Sequence, residues 1–292
     1  MTSALYRVRL ADGTRRLAWG SVEAGPRSLA DPSASLDRVL SERRSFASIG
    51  SADERVPADA VVVAPVEGQE VWAAGVTYLR SRDARREETV DATPYDLVYE
   101  ADRPELFFKA PGWRCVGPGE AIGIRRDSAW NVPEPEIALV LDADLRIVGA
   151  TIGNDVSSRS IEGENPLYLP QAKIYDAACA LGPCIVPIAD LPDGLEIRMQ
   201  VERDGEIVVV DRTTTAQMRR PFDELADWLG RALSFPVGAI VLTGTGVVPE
   251  PAFTLRVGDV VRIEVDGIGT LSNPVVEVGE PPRRRDRAAG AD

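Results

Sequence analysis

Histidine is absent from the 292 residues of this sequence. Its absence excludes the commonest general base of enzymes, every Ser-His or Cys-His nucleophile and every metal site with an imidazole ligand. A metal ion bound to this chain would therefore be held by oxygen atoms. Cysteine is also scarce: Cys115, Cys179 and Cys184 are an odd number without a metal-ligand spacing, which predicts buried thiols in a reducing compartment.

Long apolar runs are missing as well. No segment approaches the ~20 apolar residues of a membrane-spanning helix, and the opening MTSALYRVRL lacks the apolar core of a signal peptide. We therefore expect a cytoplasmic protein without a membrane partner. The net charge of −13 provides no basic footprint for nucleic acid, so the expected partner is a small molecule.

Lysine is the rarest charged residue, with 31 arginines against only Lys109 and Lys173. Arginine is effectively never deprotonated in a protein, whereas lysine can be tuned to act as a base and offers a compact charge where a guanidinium does not fit. Drift in an arginine-biased sequence is the alternative explanation. The two lysines are therefore candidate functional residues whose role must be judged from their surroundings.

The pattern of apolar residues predicts an α+β chain that is mainly β. Residues 1–65 form a predicted small N-terminal domain, in which YRVRLADGTRRLAWG indicates two strands about an Asp-Gly turn and SLDRVLSERR a short helix. Residues 66–280 read as short apolar strands between Gly, Pro and Asp turns, with helices predicted in VTYLRSRDARREE and over residues 220–233. The charged residues 281–292 predict a disordered tail.

Two carboxylates precede a run of apolar residues in NVPEPEIALVL, residues 131–141. Because strand side chains alternate faces, Glu134 and Glu136 point the same way at the entrance to a strand whose continuation is apolar enough to be buried. Like charges so placed repel, and burial increases the repulsion. Either the segment is exposed or a cation lies between the two glutamates.

The next strand, RIVGATIG, ends at Asn154-Asp155, which could return a third carboxylate to the same end of the sheet. Three carboxylates with water molecules make a site for a hard cation such as Mg²⁺, Mn²⁺ or Ca²⁺. The same spacing of acidic residues recurs in DAD, residues 142–144, and EGE, residues 162–164. A turn between strands explains DAD, and a solvated face is the simplest interpretation of EGE.

Several motifs in their order along the chain resemble the fumarylacetoacetate hydrolase family. They are PEPEIALVLDADLRIVGATIGNDVSSRS, QAKIYDAACALGP, VLTGTG and LRVGDVVRIEVDGIGTLSNPV. The resemblance implies a mixed β-sheet and β-roll fold for the C-terminal domain beside a small N-terminal α/β domain. It also implies assembly as a homodimer or homotetramer.

The resemblance further implies a metal site. In the family the two glutamates of an E-x-E pair and the aspartate of the NDVS segment bind a divalent cation, and these map onto Glu134, Glu136 and Asp155. The implied ion is Mg²⁺, with Ca²⁺ or Mn²⁺ as alternatives.

Other family motifs fall on the two lysines. The lysine after NDVS maps onto Lys173, and the FFK segment ends at Lys109. The TGT segment, which helps to hold the acid end of the substrate in the family, ends at Thr245. Because both lysines of the chain lie in family motifs, drift becomes a poor explanation for their presence.

The sequence departs from the hydrolases of the family in one decisive place. Those enzymes place a water-activating histidine a few residues after an aromatic residue, and that place falls near Ser81 here. VTYLRS, RPELFFK and SSRSIEGENPLYLPQAK together resemble instead the branch that dehydrates 2-keto-3-deoxy-D-arabinonate. The resemblance thus implies a lyase of pentose catabolism that converts a 2-keto-3-deoxy sugar acid to 2,5-dioxopentanoate and water.

The chemistry of such a reaction suits the residues present. A 2-keto acid chelates a cation, which stabilises the enolate formed when a proton leaves carbon 3. Lys173, partly desolvated beside a dication, is the candidate base through a lowered pKa, and Glu105 is the candidate donor to the departing hydroxyl, with a surface role as its alternative. Ser81, Arg159 and Tyr168 are candidate substrate-binding residues; a helix cap is the alternative for Ser81 and an ion pair for Arg159.

Two other functions stay open at this level. A hydrolase or decarboxylase of acylpyruvates or oxaloacetate would share the metal site, and a binding protein could keep the cation without turnover. The absence of histidine favours dehydration over hydrolysis, and the presence of both lysines in family motifs disfavours a protein without catalysis.

Overall fold

The computed structural model describes residues 2–88 and 93–279. Within these ranges the chain forms eighteen strands and six α-helices. The strands β1 to β18, in chain order, are Ser3–Arg9, Arg15–Ser21, Gly25–Ala30, Ser51–Arg55, Val61–Val63, Glu70–Gly75, Glu105–Pro111, Ile122–Arg125, Asn131–Val132, Pro135–Leu141, Ile147–Asp155, Ser157–Ser158, Cys179–Pro187, Glu196–Arg203, Glu206–Thr214, Ala239–Leu242, Val260–Val265 and Gly269–Val278. The helices α1 to α6 are Leu36–Ser41, Leu79–Glu88, Thr93–Glu100, Arg159–Glu164, Leu169–Lys173 and Phe222–Gly230. The predicted α+β chain that is mainly β is confirmed.

Eleven strands form one continuous sheet in the order β4-β3-β2-β1-β13-β11-β10-β16-β6-β7, with β5 also paired to β1. A second sheet has the order β15-β14-β17-β18-β8, and β9 pairs with β12. Alternate residues of β10 share the main apolar core with alternate residues of β14 and β17. The core therefore lies between two packed sheets, with the polar positions of the second sheet facing away from it.

Strand β10 lies near the middle of the large sheet and is buried along its whole length. Ile137, Leu139 and Leu141 point into the main core, whereas Ala138 and Val140 each pack into a smaller apolar cluster on the other face. Coverage on both faces explains why the sequence is continuously apolar here instead of alternating. The glutamates at its entrance are consequently carried on one of the most rigid parts of the fold.

The N-terminal segment is not separated from this sheet. The predicted hairpin is formed by β1 and β2, and the predicted short helix is α1, but β1 also pairs with β13 where Leu5 faces Ile185. Strands from both parts thus share one sheet. The division into residues 1–65 and 66–280 stays a prediction. The predicted tail, 281–292, lies outside the described residues.

The helix predicted over residues 220–233 is shorter in the structure, where α6 starts at Phe222 directly after Pro221. Proline has no backbone N–H and is tolerated only at the start of a helix, which accounts for the later beginning. Of the helices within residues 2–88 and 93–279, none combines the length and the apolar character needed to cross a bilayer.

Candidate active site

Three buried carboxylates meet where β10 begins and β11 ends. Glu134 and Glu136 lie on either side of Pro135, the first residue of β10, and Asp155 is the last residue of β11. The N–H of Asp155 donates to the carbonyl of Glu134 at 3.0 Å, so the antiparallel register brings the carboxylates together. One oxygen of each of the three residues lies within 4.8 Å of the others. The cluster predicted from sequence is therefore formed by neighbouring strands.

Lys173, the last residue of α5, projects its ammonium into this cluster. Its Nζ lies 2.6 Å from Oε2 of Glu134 and 2.9 Å from Oδ2 of Asp155. Burial lowers the pKa of Lys173, but the charges of Asp155, Glu134 and Glu162 more than offset this, so its pKa is raised overall. In the chain by itself the carboxylates therefore favour the ammonium form. The lowered pKa is expected beside a bound dication, and it stays a prediction.

Lys109, on β7, reaches the same aspartate from the other side. Its Nζ forms an ion pair with Oδ1 of Asp155 and donates to the carbonyls of Val156, at 3.1 Å, and Lys173, at 2.5 Å. The ammonium is almost completely buried and held by three oxygens in a compact arrangement. The ammonium groups of both lysines thus form ion pairs with Asp155. Lys109 holds this carboxylate without itself lining the cavity.

Arg159, the first residue of α4, bridges two carboxylates. Its Nη2 contacts Oε1 of Glu134 and its Nη1 contacts Oε2 of Glu162. Glu162 is buried, so the interpretation of EGE as a solvated face is wrong for this residue, although Glu164 is indeed exposed. The sequence indicated this ion pair, since Arg159 and Glu162 have the i, i+3 spacing of neighbours on one helix face.

The TGT segment approaches the cluster from the end of β16. The N–H of Gly244 donates to Oε2 of Glu136 at 2.6 Å. Gly244 has a φ of +85°, and a Cβ there would lie 2.1 Å from Oγ1 of Thr77, so both the turn and the close approach require glycine. Thr245, the next residue, lines the cavity beside the carboxylates.

The remaining candidates differ in position. Ser81 on α2 and Glu105 on β7 both line the same small cavity as the three carboxylates and Lys173. Glu105 lies against Gly75, its partner across β6 and β7, where an added Cβ would be 2.0 Å from Oε2. Tyr168 is 38% exposed and does not line the cavity. Ser81 and Glu105 are thus placed to meet a bound molecule, whereas Tyr168 is not placed there in this structure.

The donor set fits a hard divalent cation. Burial raises the pKa of Glu136 well above its ordinary value, and Asp155 and Glu134 raise it further, against the smaller opposing effects of Lys173 and the Gly244 N–H. A raised pKa means that this carboxylate is destabilised as an anion and gains from an added positive charge. Three carboxylates with only oxygen donors suit Mg²⁺, Mn²⁺ or Ca²⁺.

Comparison with known proteins decides the family. The fumarylacetoacetate (FAA) hydrolase C-terminal model matches residues 70–276. The chain belongs to the fumarylacetoacetate hydrolase family. The resemblance inferred from the ordered motifs is thereby confirmed, and the matched region contains every residue discussed above for the site.

Individual relatives are more specific. The chain is 52% identical over 246 residues to the probable 2-keto-3-deoxyxylonate dehydratase of Haloferax volcanii, spanning 84% of each chain. It is 44% identical over 223 residues to the 2-dehydro-3-deoxy-D-arabinonate dehydratase of Saccharolobus solfataricus, spanning 74% of this chain and 75% of that one. A solved 2-keto-3-deoxy-D-arabinonate dehydratase complexed with magnesium and 2,5-dioxopentanoate superposes with a TM-score of 0.82 at 34% identity, covering 94% of this chain and 99% of that chain. The fold predicted from the resemblance is confirmed by this likeness.

A glutamine at Glu136 tests the cation site. Glu136→Gln removes a ligand charge but nearly preserves shape, so we expect calorimetric titration with Mg²⁺ to show no binding and the variant to be inactive. Glu250→Gln, at an exposed position, should bind Mg²⁺ like the parent. Unaltered Mg²⁺ binding in Glu136→Gln would mean that the cluster has a structural role.

An alanine at Gly75 tests the position of Glu105. The added methyl group would displace the Glu105 carboxylate, the flexible end of a side chain, while leaving the backbone in place. We expect turnover to fall about 10²-fold, the typical effect of a 1 Å misplacement, with little change in thermal stability. Gly50→Ala adds its methyl group to open space and is the control. Undiminished turnover in Gly75→Ala would remove Glu105 from the mechanism.

Proposed function

We propose that the protein is a metal-dependent dehydratase of 2-keto-3-deoxy sugar acids, converting 2-keto-3-deoxy-D-arabinonate or a stereoisomer to 2,5-dioxopentanoate and water. The observation that carries the proposal is a buried cluster in which three carboxylates and Lys173 share one cavity with Glu105, in a chain without histidine. The two relatives named as dehydratases of such acids, at 52% and 44% identity, support it.

Glu134, Glu136 and Asp155 would hold the divalent cation, with Mg²⁺ favoured because a similar structure was solved with magnesium. When bound, the ion would polarise the keto group of a 2-keto acid and so acidify the hydrogens on carbon 3. The chain contributes the rest of the site: Thr245 lies where the TGT segment would hold the acid end of the substrate, and the buried surroundings exclude water from the reacting groups.

Lys173 is the base in this proposal. Its neutral amine would take a proton from carbon 3, and the electron pair of the broken C–H bond would form the new double bond as the hydroxyl leaves carbon 4. Glu105, in its protonated form, would give the proton that turns the hydroxyl into water. Glu134 and Asp155 favour the ammonium form of Lys173 through their contacts with it, and a cation held by these carboxylates would weaken that preference.

The 3,4-unsaturated acid then loses a proton from carbon 5 while its keto oxygen gains one, which gives a dienol. The dienol becomes the aldehyde when carbons 3 and 4 each take up a proton and the hydroxyls on carbons 2 and 5 each lose one. No carbon–carbon bond is broken in this sequence. The place where hydrolases of the family carry their histidine falls near Ser81, whose hydroxyl cannot supply an imidazole's proton transfer near neutral pH. The absence of histidine thus favours dehydration over the hydrolysis of acylpyruvates.

The assembly and location belong to the proposal as well. The family resemblance supports a homodimer or homotetramer, which light scattering coupled to gel filtration would measure. The cytoplasmic location expected from the sequence stays a prediction.

An arginine at Lys173 tests the base. Arginine keeps the charge of Lys173 but cannot release a proton, so we expect turnover of Lys173→Arg to fall by a factor of about 10²–10⁴. The thermal midpoint should change little. Lys109→Arg is the companion variant: its compact, three-oxygen surroundings predict losses of stability and activity together. If Lys173→Arg lost stability in proportion to activity, Lys173 would be a packing or ion-pair residue.

Product analysis tests the reaction itself. With Mg²⁺, we expect 2-keto-3-deoxy-D-arabinonate to give 2,5-dioxopentanoate, and in deuterated water the product should carry deuterium at the carbons protonated during tautomerisation. No pyruvate should form. Formation of pyruvate from an acylpyruvate at a rate well above that of dehydration would contradict the proposal and favour a hydrolase.

A further inference from the structure

A buried arginine links one of the proposed metal ligands to a glutamate that has no role in the reaction described above. Arg159 contacts Glu134 through Nη2 and Glu162 through Nη1. The three side chains are at most 5% exposed. The far oxygen of Glu134 receives the Lys173 ammonium at 2.6 Å, so both oxygens of this ligand are oriented by cations.

The backbone fixes the position of this bridge. Strand β12 pairs with β9, and the N–H of Arg159 donates to the carbonyl of Trp130 at 2.8 Å. Because Trp130 lies a few residues before Glu134, the start of α4 is tied to the chain segment that carries the ligand. The i, i+3 spacing on α4 then places Glu162 on the same helix face as Arg159.

The planar fork of a guanidinium binds two carboxylates in fixed directions, which a lysine cannot do. Because the Arg159 guanidinium pairs with both Glu134 and Glu162, its side chain is held on two sides. The negative charge of Glu162 also offsets part of the positive charge that attracts Glu134. Without the Glu162 charge, Arg159 would lose one anchor and would compete more strongly with a cation for Glu134. Both effects weaken metal binding.

We propose that Glu162 is a positioning residue that acts through Arg159 to keep the Glu134 carboxylate oriented for the divalent cation. The inference rests on the metal site of the proposed function and adds a fourth carboxylate on which that site depends. Residues that orient metal ligands from outside typically change metal affinity by about 10- to 100-fold when they are replaced.

Glu162 also lines the cavity, so a direct contact with substrate is the competing role. The two roles predict different measurements. A positioning residue changes Mg²⁺ affinity in the absence of substrate, and its effect depends on Arg159. A substrate contact changes KM and leaves Mg²⁺ affinity unaltered.

The experiment measures Mg²⁺ binding by calorimetry on the full chain without substrate, together with thermal midpoints, kcat and KM. Glu162→Gln should weaken Mg²⁺ binding about 10- to 100-fold. Glu164→Gln, on the same helix but exposed, is the matched control and should bind like the parent. Glu162→Asp keeps the charge with a shorter reach and should lie between the two, which keeps the test informative if Glu162→Gln does not fold.

A double-mutant cycle shows whether the effect passes through Arg159. Arg159→Lys should weaken Mg²⁺ binding by itself, and the double variant should be little worse than the more damaged single variant, since both changes break one linkage. Full additivity, or normal Mg²⁺ affinity with a raised KM in Glu162→Gln, would overturn the proposal. Failure of the parent protein to bind Mg²⁺ or to dehydrate the sugar acid would instead refute the proposed function, so the two failures are distinguishable.

Discussion

The site depends on one physical requirement, the pairing of buried charges with charges of opposite sign. Charges alternate along a chain of contacts formed by Lys109, Asp155, Lys173, Glu134, Arg159 and Glu162. Removing one member of a buried pair typically costs roughly 3–5 kcal/mol, because the other charge remains desolvated. The pKa of Glu136 is raised well above its ordinary value, chiefly by burial, so this carboxylate is stabilised by an added cation.

The sheets provide the rigidity that such a network needs. The cluster draws on the entrance of β10, the end of β11, the middle of β7 and the last turn of α5, which are far apart in sequence. Backbone hydrogen bonds fix their relative positions, among them Asp155 N–H to the Glu134 carbonyl and Thr243 N–H to the Ile137 carbonyl, each at 3.0 Å. Because β10 is buried on both faces, its ligands have little freedom to move apart when a cation is lost or gained.

The use of lysine follows from the same geometry. Asp155 lies between Lys109 and Lys173, and the Lys109 ammonium also donates to the carbonyl oxygens of Val156 and Lys173. A guanidinium is planar and larger, and it directs its five N–H groups along fixed lines. Arginine serves where a fork is needed, as at Arg159, and lysine remains where a compact charge must fit among three oxygens.

The sequence by itself determined the mainly β architecture and the buried strand after EPE, because strand periodicity is a local property, and residue chemistry marked three carboxylates and two lysines as candidates. Ordered motifs added the family, which the comparisons confirmed. Only the tertiary structure decided that Glu162 is buried beside Arg159, that Tyr168 is exposed and does not line the cavity, and that the chain's own carboxylates raise the pKa of Lys173. Burial and charge coupling arise from residues brought together across the fold, and neither can be read from the spacing of residues along the chain.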